Sequence, residues 1–288
     1  MKNWKYYIEL TKPRILVMQL VTLALGFIIA KQGNHIFIPL FYFTLLGTAL
    51  VAGGSTVFNN VLEKNSDKLM NRTKNRALPT EKISVLNAIL FGSFLSLSGL
   101  YILYAFVNTL TFIIGFLTLF LYVLVYTPLK KRSWSNTIIG AIPGALPPLG
   151  GWAAAVGELH VMGWILFLIL FIWQLPHFYA IAWLYKEDYA NAGFKMLSVM
   201  DDTGKLTSRQ MLMTSILLLI ISITPFFLGM AGLTYFIGVS LIGVWMIKTS
   251  LDFSKTYSQQ HAKKMIKVSV FYLLLFLALI FIDNIIAS

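Results

Sequence analysis

An all-α polytopic membrane fold, nine transmembrane helices around a central intramembrane cavity with cytoplasmic loop caps, is what this sequence predicts, and three observations predict it. Of 288 residues, 58% are hydrophobic and only 12% charged, where an ordinary soluble domain carries about 25% charged residues. Nine apolar runs are each long enough to cross a hydrocarbon core of roughly 30 Å, which takes about 20 residues. Polar residues collect in the connections, and the two longest connections fall on one side.

In chain order the runs cover 15–31, 36–62, 83–105, 109–127, 135–156, 161–185, 210–229, 233–251 and 266–286, and residues 1–288 read as one transmembrane domain. Lys and Arg gather at the tail and around the loops after the second, fourth, sixth and eighth runs, with Lys31 the exception. The positive-inside rule then puts the N-terminus in the cytoplasm and the C-terminus outside the cell membrane. The start, MKNWKYYIELTKPR, lacks a small-residue cleavage site, so the first run reads as a retained anchor. Outer connections such as KQGNH, VGELH and GMAG are short and poor in charge. The net charge of +12 therefore reads as topology and attraction to anionic head groups, with no nucleic acid implied. Cys is absent, which excludes disulfides, thiolate metal sites and Cys nucleophiles.

The stretch from Asn59 to Thr80 organises the chemistry. Charge this close to hydrocarbon needs partners. On a helix leaving the bilayer, Asn60, Glu63 and Asp67 stand at i, i+3 and i+7 and share one face, with Asn59 one turn before Glu63. Hard oxygen donors of this kind suit Mg²⁺, which takes one or two carboxylates together with waters and substrate phosphates. Asn59, Asn60, Glu63 and Asp67 are thus the candidate metal ligands, and Arg72 and Arg76, i and i+4, the cations for a diphosphate. A salt-bridge network of Asp67 with Lys68, Arg72 and Arg76 is the competing reading.

Four further motifs have both a bland and a chemical reading. Lys12 and Arg14 flank Pro13 before the first run, as an interfacial anchor with Trp4, Tyr6 and Tyr7 or as a diphosphate clamp. After the fourth run, Tyr126, Thr127 and Pro128 lead into Lys130, Lys131 and Arg132, which serve topology or phosphate binding. The fifth run holds Gly140, Gly144, Gly150 and Gly151 with Pro143, Pro147 and Pro148, a pattern of close helix packing or of a cavity wall. In the sixth run His177, with Trp173 and Gln174 beside it, is the only His inside a run; it reads as a packed histidine or as a contact for a large acceptor. If that helix continues, Gln174, His177, Leu184 and Asp188 form one stripe, and eleven residues put His177 about 16 Å deeper than Asp188. His35, His160 and His261 lie in loops and receive no role.

These residues resemble the intramembrane prenyltransferase (UbiA) superfamily, and within it the heme branch, from about residue 9 to residue 200. The superfamily's first acidic motif, N-D-x-x-D-x-x-x-D, corresponds to Asn59, Asn60, Glu63 and Asp67. The branch pattern is kept at Met70, Arg72, Thr73 and Arg76, in LTKPRI, at Tyr126 with Lys130 and Lys131, around Ala145 to Trp152, and at Trp173 to Tyr179. Glu63 and Asn65 stand where Asp is usual, and Ala192 replaces the second Asp of the D-x-x-x-D that begins at Asp188. The resemblance implies transfer of farnesyl from farnesyl diphosphate to a vinyl group of heme B, giving heme O. Asn60, Glu63, Asp67 and Asp188 are then catalytic and Mg²⁺ the cofactor. Lys12, Arg14, Arg72, Arg76, Lys130 and Lys131 hold diphosphate, and His177, Gln174 and Trp173 face heme as substrate. It also implies a downstream heme A synthase or terminal oxidase assembly factor as partner. Prenylation of a quinone precursor such as 4-hydroxybenzoate, and non-catalytic heme carriage, are the alternatives.

Overall fold

A computed structural model describes residues 4–31 and 37–287, with side chains through residue 283. His35 and most of the KQGNH connection lie outside the described residues. A short helix α1 (Trp4–Leu10) precedes α2 (Pro13–Lys31), α3 (Ile38–Asp67), α4 (Val85–Phe106), α5 (Thr109–Leu129), α6 (Asn136–Val156) and α7 (Val161–Leu184). A short α8 (Lys186–Asn191) leads to α9 (Lys205–Phe227), α10 (Leu233–Thr256) and α11 (Gln259–Ala287). Among the described residues nine helices are long and apolar enough to cross a membrane, the number expected. Their ends differ from the apolar runs mainly where a helix continues past the hydrocarbon. Thus α3 runs five residues beyond 62, α9 begins at Lys205 and α11 at Gln259, because backbone pairing does not stop where apolarity does.

Each span packs against its successor and α11 returns to α2, so the bundle closes on itself. One close approach is between α2 and α6, where the small residues of the fifth run act. A Cβ on Gly151 would collide with the Leu23 carbonyl, and one on Gly26 with the Pro148 carbonyl, so two backbones meet face to face. Close helix packing through small residues is therefore what that run provides. Gly151→Ala is expected to destabilise the bundle by about 1–3 kcal/mol, because backbone atoms cannot rotate aside. A thermal unfolding midpoint in detergent equal to that of the unaltered protein would contradict this.

Inside the bundle an apolar cavity of about 30 Å³ lies between Gln19, Leu23, Val51, Ile114 and Pro147. The loops form the caps. Met70 is buried with Ala182, Ala192, Phe194 and Met196, while Ala77 and Leu78 pack on Leu10, Val57 and Ile83. The Lys195 N–H donates to the Lys130 carbonyl at 2.7 Å, and the Asn136 amide donates to the Lys195 carbonyl at 3.0 Å. The loops after α3, α5 and α7 are thereby tied together.

Candidate active site

Thirty residues make α3 about 45 Å long, well beyond the roughly 30 Å of hydrocarbon. Its last turns therefore emerge at the loop-bearing face, yet Asn59, Asn60, Glu63 and Asp67 are all buried there. What buries them is a ring of cations. Lys12 Nζ donates to Asn59 Oδ1 at 2.7 Å, Lys130 Nζ to Glu63 Oε1 at 2.7 Å, and Arg76 Nη1 to Asp67 Oδ2 at 3.0 Å. The helix spacing read from the sequence puts these groups on one face, and Asn59, Glu63 and Asp67 each receive one cation on one side-chain oxygen.

Local backbone features aim the ring. Lys12 adopts a left-handed φ of 50° at the turn between α1 and α2, uncommon for a residue with a side chain. That turn is held by α3, since Thr56 Oγ1 and Asn60 Nδ2 both donate to the Leu10 carbonyl, at 3.1 and 3.0 Å. The Asn60 amide nitrogen is thus committed to positioning Lys12, which leaves its oxygen for a ligand. On the opposite side α5 carries a π-helical stretch, Leu121–Tyr126, a feature frequent at functional sites. Thr127 Oγ1 donates to the Tyr122 carbonyl at 2.8 Å and accepts from Asn59 Nδ2 at 3.1 Å. The Tyr126 ring lies 4.5 Å below the Lys130 ammonium.

The electrostatics follow from the pairing. Burial first, then the Arg76 charge, pull the Lys12 ammonium down to about 7. An entering anion would restore it towards its ordinary value. Burial acts on Lys130 in the same sense, but the Glu63 carboxylate overrides it and holds the ammonium above the usual lysine range.

Two buried oxygens in this cluster have no hydrogen-bond partner, Asp67 Oδ1 and Ser66 Oγ. A buried carboxylate oxygen without a partner is a place for a cation. Among the described residues no group of three or more His, Cys, Asp or Glu gathers to form an all-protein cage. The donors instead fit a Mg²⁺ that retains waters and takes phosphate oxygens. Of the competing salt-bridge network only the Arg76 arm forms: Lys68 turns to Glu81 at 3.5 Å, and Arg72 lies over the Tyr185 ring at 5.1 Å.

Other expected residues are placed differently. The helix does not continue from Gln174 to Asp188. It breaks at Tyr185 (φ −110°, ψ 30°), and Asp188 lies in the separate helix α8, so the expected stripe does not form. Asp188 accepts from the backbone N–H groups of Asn71 and Arg72 at 3.0 and 3.2 Å. Asp188→Ala is accordingly expected to loosen the α3 loop by about 1–3 kcal/mol, read as faster amide exchange at Asn71 and Arg72; unchanged exchange would contradict it. Arg14 and Lys131 are exposed and join neither carboxylate. Trp173 Nε1 donates to the Ser269 carbonyl at 2.7 Å, Gln174 Nε2 to the Ala141 and Leu170 carbonyls, and His177 Nδ1 bonds Ser269 Oγ at 2.7 Å. Thr127 was visible in the sequence only as a boundary residue, and Ser66 and Ser269 carried no signal.

The UbiA prenyltransferase family matches residues 19–280. The chain belongs to the UbiA prenyltransferase family. This family member is 40% identical over 286 residues to a protoheme IX farnesyltransferase of Solibacter usitatus (strain Ellin6076), covering 96% of this chain and 98% of that one. It is 39% identical over 280 residues to a protoheme IX farnesyltransferase of Salinibacter ruber (strain DSM 13855 / M31), covering 97% and 98%. The fold is shared with a solved digeranylgeranylglyceryl phosphate synthase at a TM-score of 0.84, 20% identity and 99% coverage of both chains. A UbiA homologue from Archaeoglobus fulgidus, bound to GPP and Mg²⁺, matches at a TM-score of 0.63 and 17% identity, over 96% of this chain and 99% of that one. This UbiA prenyltransferase is therefore a multi-pass membrane enzyme.

Proposed function

We propose that this prenyltransferase moves a farnesyl group from farnesyl diphosphate to a vinyl group of heme B, giving heme O. The observation that carries the diphosphate half is the ring of Lys12, Lys130 and Arg76 on the oxygens at the end of α3. The relatives named protoheme IX farnesyltransferase, matched over nearly the full chain, support heme as acceptor. The C1–oxygen bond of farnesyl diphosphate breaks, a carbon–carbon bond to the vinyl group forms, and water adds the new hydroxyl with release of a proton.

Lys12, Lys130 and Arg76, with Arg72 at the rim, bind the diphosphate oxygens and stabilise the charge that develops as the bond breaks. Asn60, Glu63 and Asp67 would hold Mg²⁺, and Asp67 Oδ1 is the strongest candidate because it is buried and unpartnered. When bound, the cation neutralises charge on the leaving diphosphate. The loops around Met70 and Leu78 keep water from the allylic cation. His177, Trp173 and Gln174 belong to the acceptor side, deeper along α7. The basic loops support a site at the cytoplasmic face of the cell membrane.

Membranes containing the protein, given farnesyl diphosphate with heme B or with 4-hydroxybenzoate, test this by product mass. Heme O alone, lost on chelation of divalent cations, is expected. A prenylated benzoate would replace heme as acceptor, and heme binding without consumption of farnesyl diphosphate would make the protein a carrier.

A further inference from the structure

We propose that Ser269 is a positioning residue that fixes the tautomer and plane of His177, so that Nε2 presents a lone pair to the iron of heme. Ser269 has this role only if heme is the acceptor, as proposed above. Its hydroxyl lies between two atoms: His177 Nδ1 at 2.7 Å and the Ile266 carbonyl oxygen at 2.8 Å. A hydroxyl has one proton. Given to Nδ1, that proton would leave the serine and carbonyl oxygens facing each other lone pair to lone pair at 2.8 Å. Given to the Ile266 carbonyl, it makes both contacts hydrogen bonds, with Nδ1–H donating to Ser269 Oγ. The neutral ring is then bare at Nε2, and none of the described residues bonds that atom.

The ring plane is fixed by the same residue. Trp173 donates its indole N–H to the Ser269 carbonyl at 2.7 Å and stacks on His177 with centroids 5.3 Å apart and planes 18° from parallel. Two adjacent turns of α7 therefore converge on one residue of α11. Histidines that ligate metals are commonly held this way, donating their second ring nitrogen to a fixed acceptor. A Ser–His pair serving only to join two helices has no requirement for which nitrogen carries the proton.

The full-length protein in liposomes, titrated with heme B, decides between these roles. Ser269→Ala keeps the backbone carbonyl that receives Trp173, so the α7–α11 link survives. It is expected to weaken heme binding about 10–100-fold, to move the Soret band toward that of His177→Ala, and to lower the ferrous iron–imidazole stretching frequency. Affinity for farnesyl diphosphate should not change, and Ser269→Thr should restore the heme signals. If Ser269→Ala matches the unaltered protein while His177→Ala does not, the role of Ser269 is overturned and the heme reading stands. If His177→Ala itself leaves the spectrum and affinity unchanged, His177 is no heme ligand and the role of Ser269 falls with it, while heme as acceptor still stands or falls by product mass. Equal losses of heme and farnesyl diphosphate binding in Ser269→Ala would show a structural serine and overturn the proposal.

Discussion

Asp67→Asn is expected to lower turnover of farnesyl diphosphate by about 10²–10³-fold or more while the protein remains inserted and folded. The side chain keeps its shape, but the buried oxygen without a partner, Oδ1, loses the charge that would hold Mg²⁺. Its other oxygen gives up a charge-assisted bond from Arg76, so the variant disturbs the metal ligand and a diphosphate cation together. Product mass and initial rate, measured across a range of Mg²⁺ concentrations, give the readout. A shift of the Mg²⁺ optimum to higher concentration would support the assignment, and conversion of heme B at the unaltered rate would defeat it.

Lys130→Met should have the second large effect, and on stability as well as rate. Lys130 and Glu63 form an ion pair at 2.7 Å with side chains only 13% and 8% exposed. Removing the cation leaves a buried carboxylate alone, which costs about 3–5 kcal/mol. The double variant Glu63→Gln with Lys130→Met is expected to recover most of the thermal midpoint, because no lone charge remains, yet to stay inactive. Recovery of turnover along with stability would show that the pair serves only the fold. Lys131→Ala is the control: its side chain is exposed, and rate and midpoint should both hold.

The sequence and the structure agree where periodicity carries the information. The nine apolar runs, the shared face of Asn60, Glu63 and Asp67, and the small-residue packing of the fifth run all follow from 3.6-residue spacing and side-chain size. Partner choice is a tertiary property and was not legible. Lys130 and Lys131 are indistinguishable in a string of letters; the turn after Pro128 sends one to Glu63 and the other outward. Likewise no local signal says that α7 breaks at Tyr185 or that Asp188 takes the Asn71 and Arg72 amides. Asp201 illustrates the same limit. It looks like a solvated loop acid, but against the opposing pull of burial it accepts N–H groups of Thr207 and Gly204 at 2.7 and 2.9 Å, which depress its pKa and start α9.

The Asp188 tether has a kinetic consequence. Because one carboxylate grips two successive amides of the neighbouring loop, unfastening either segment breaks the same pair of bonds. Opening of the loop after α3 and opening of α8 are then one concerted event, and a probe on Arg72 and a probe on Tyr189 are expected to relax with one common rate constant.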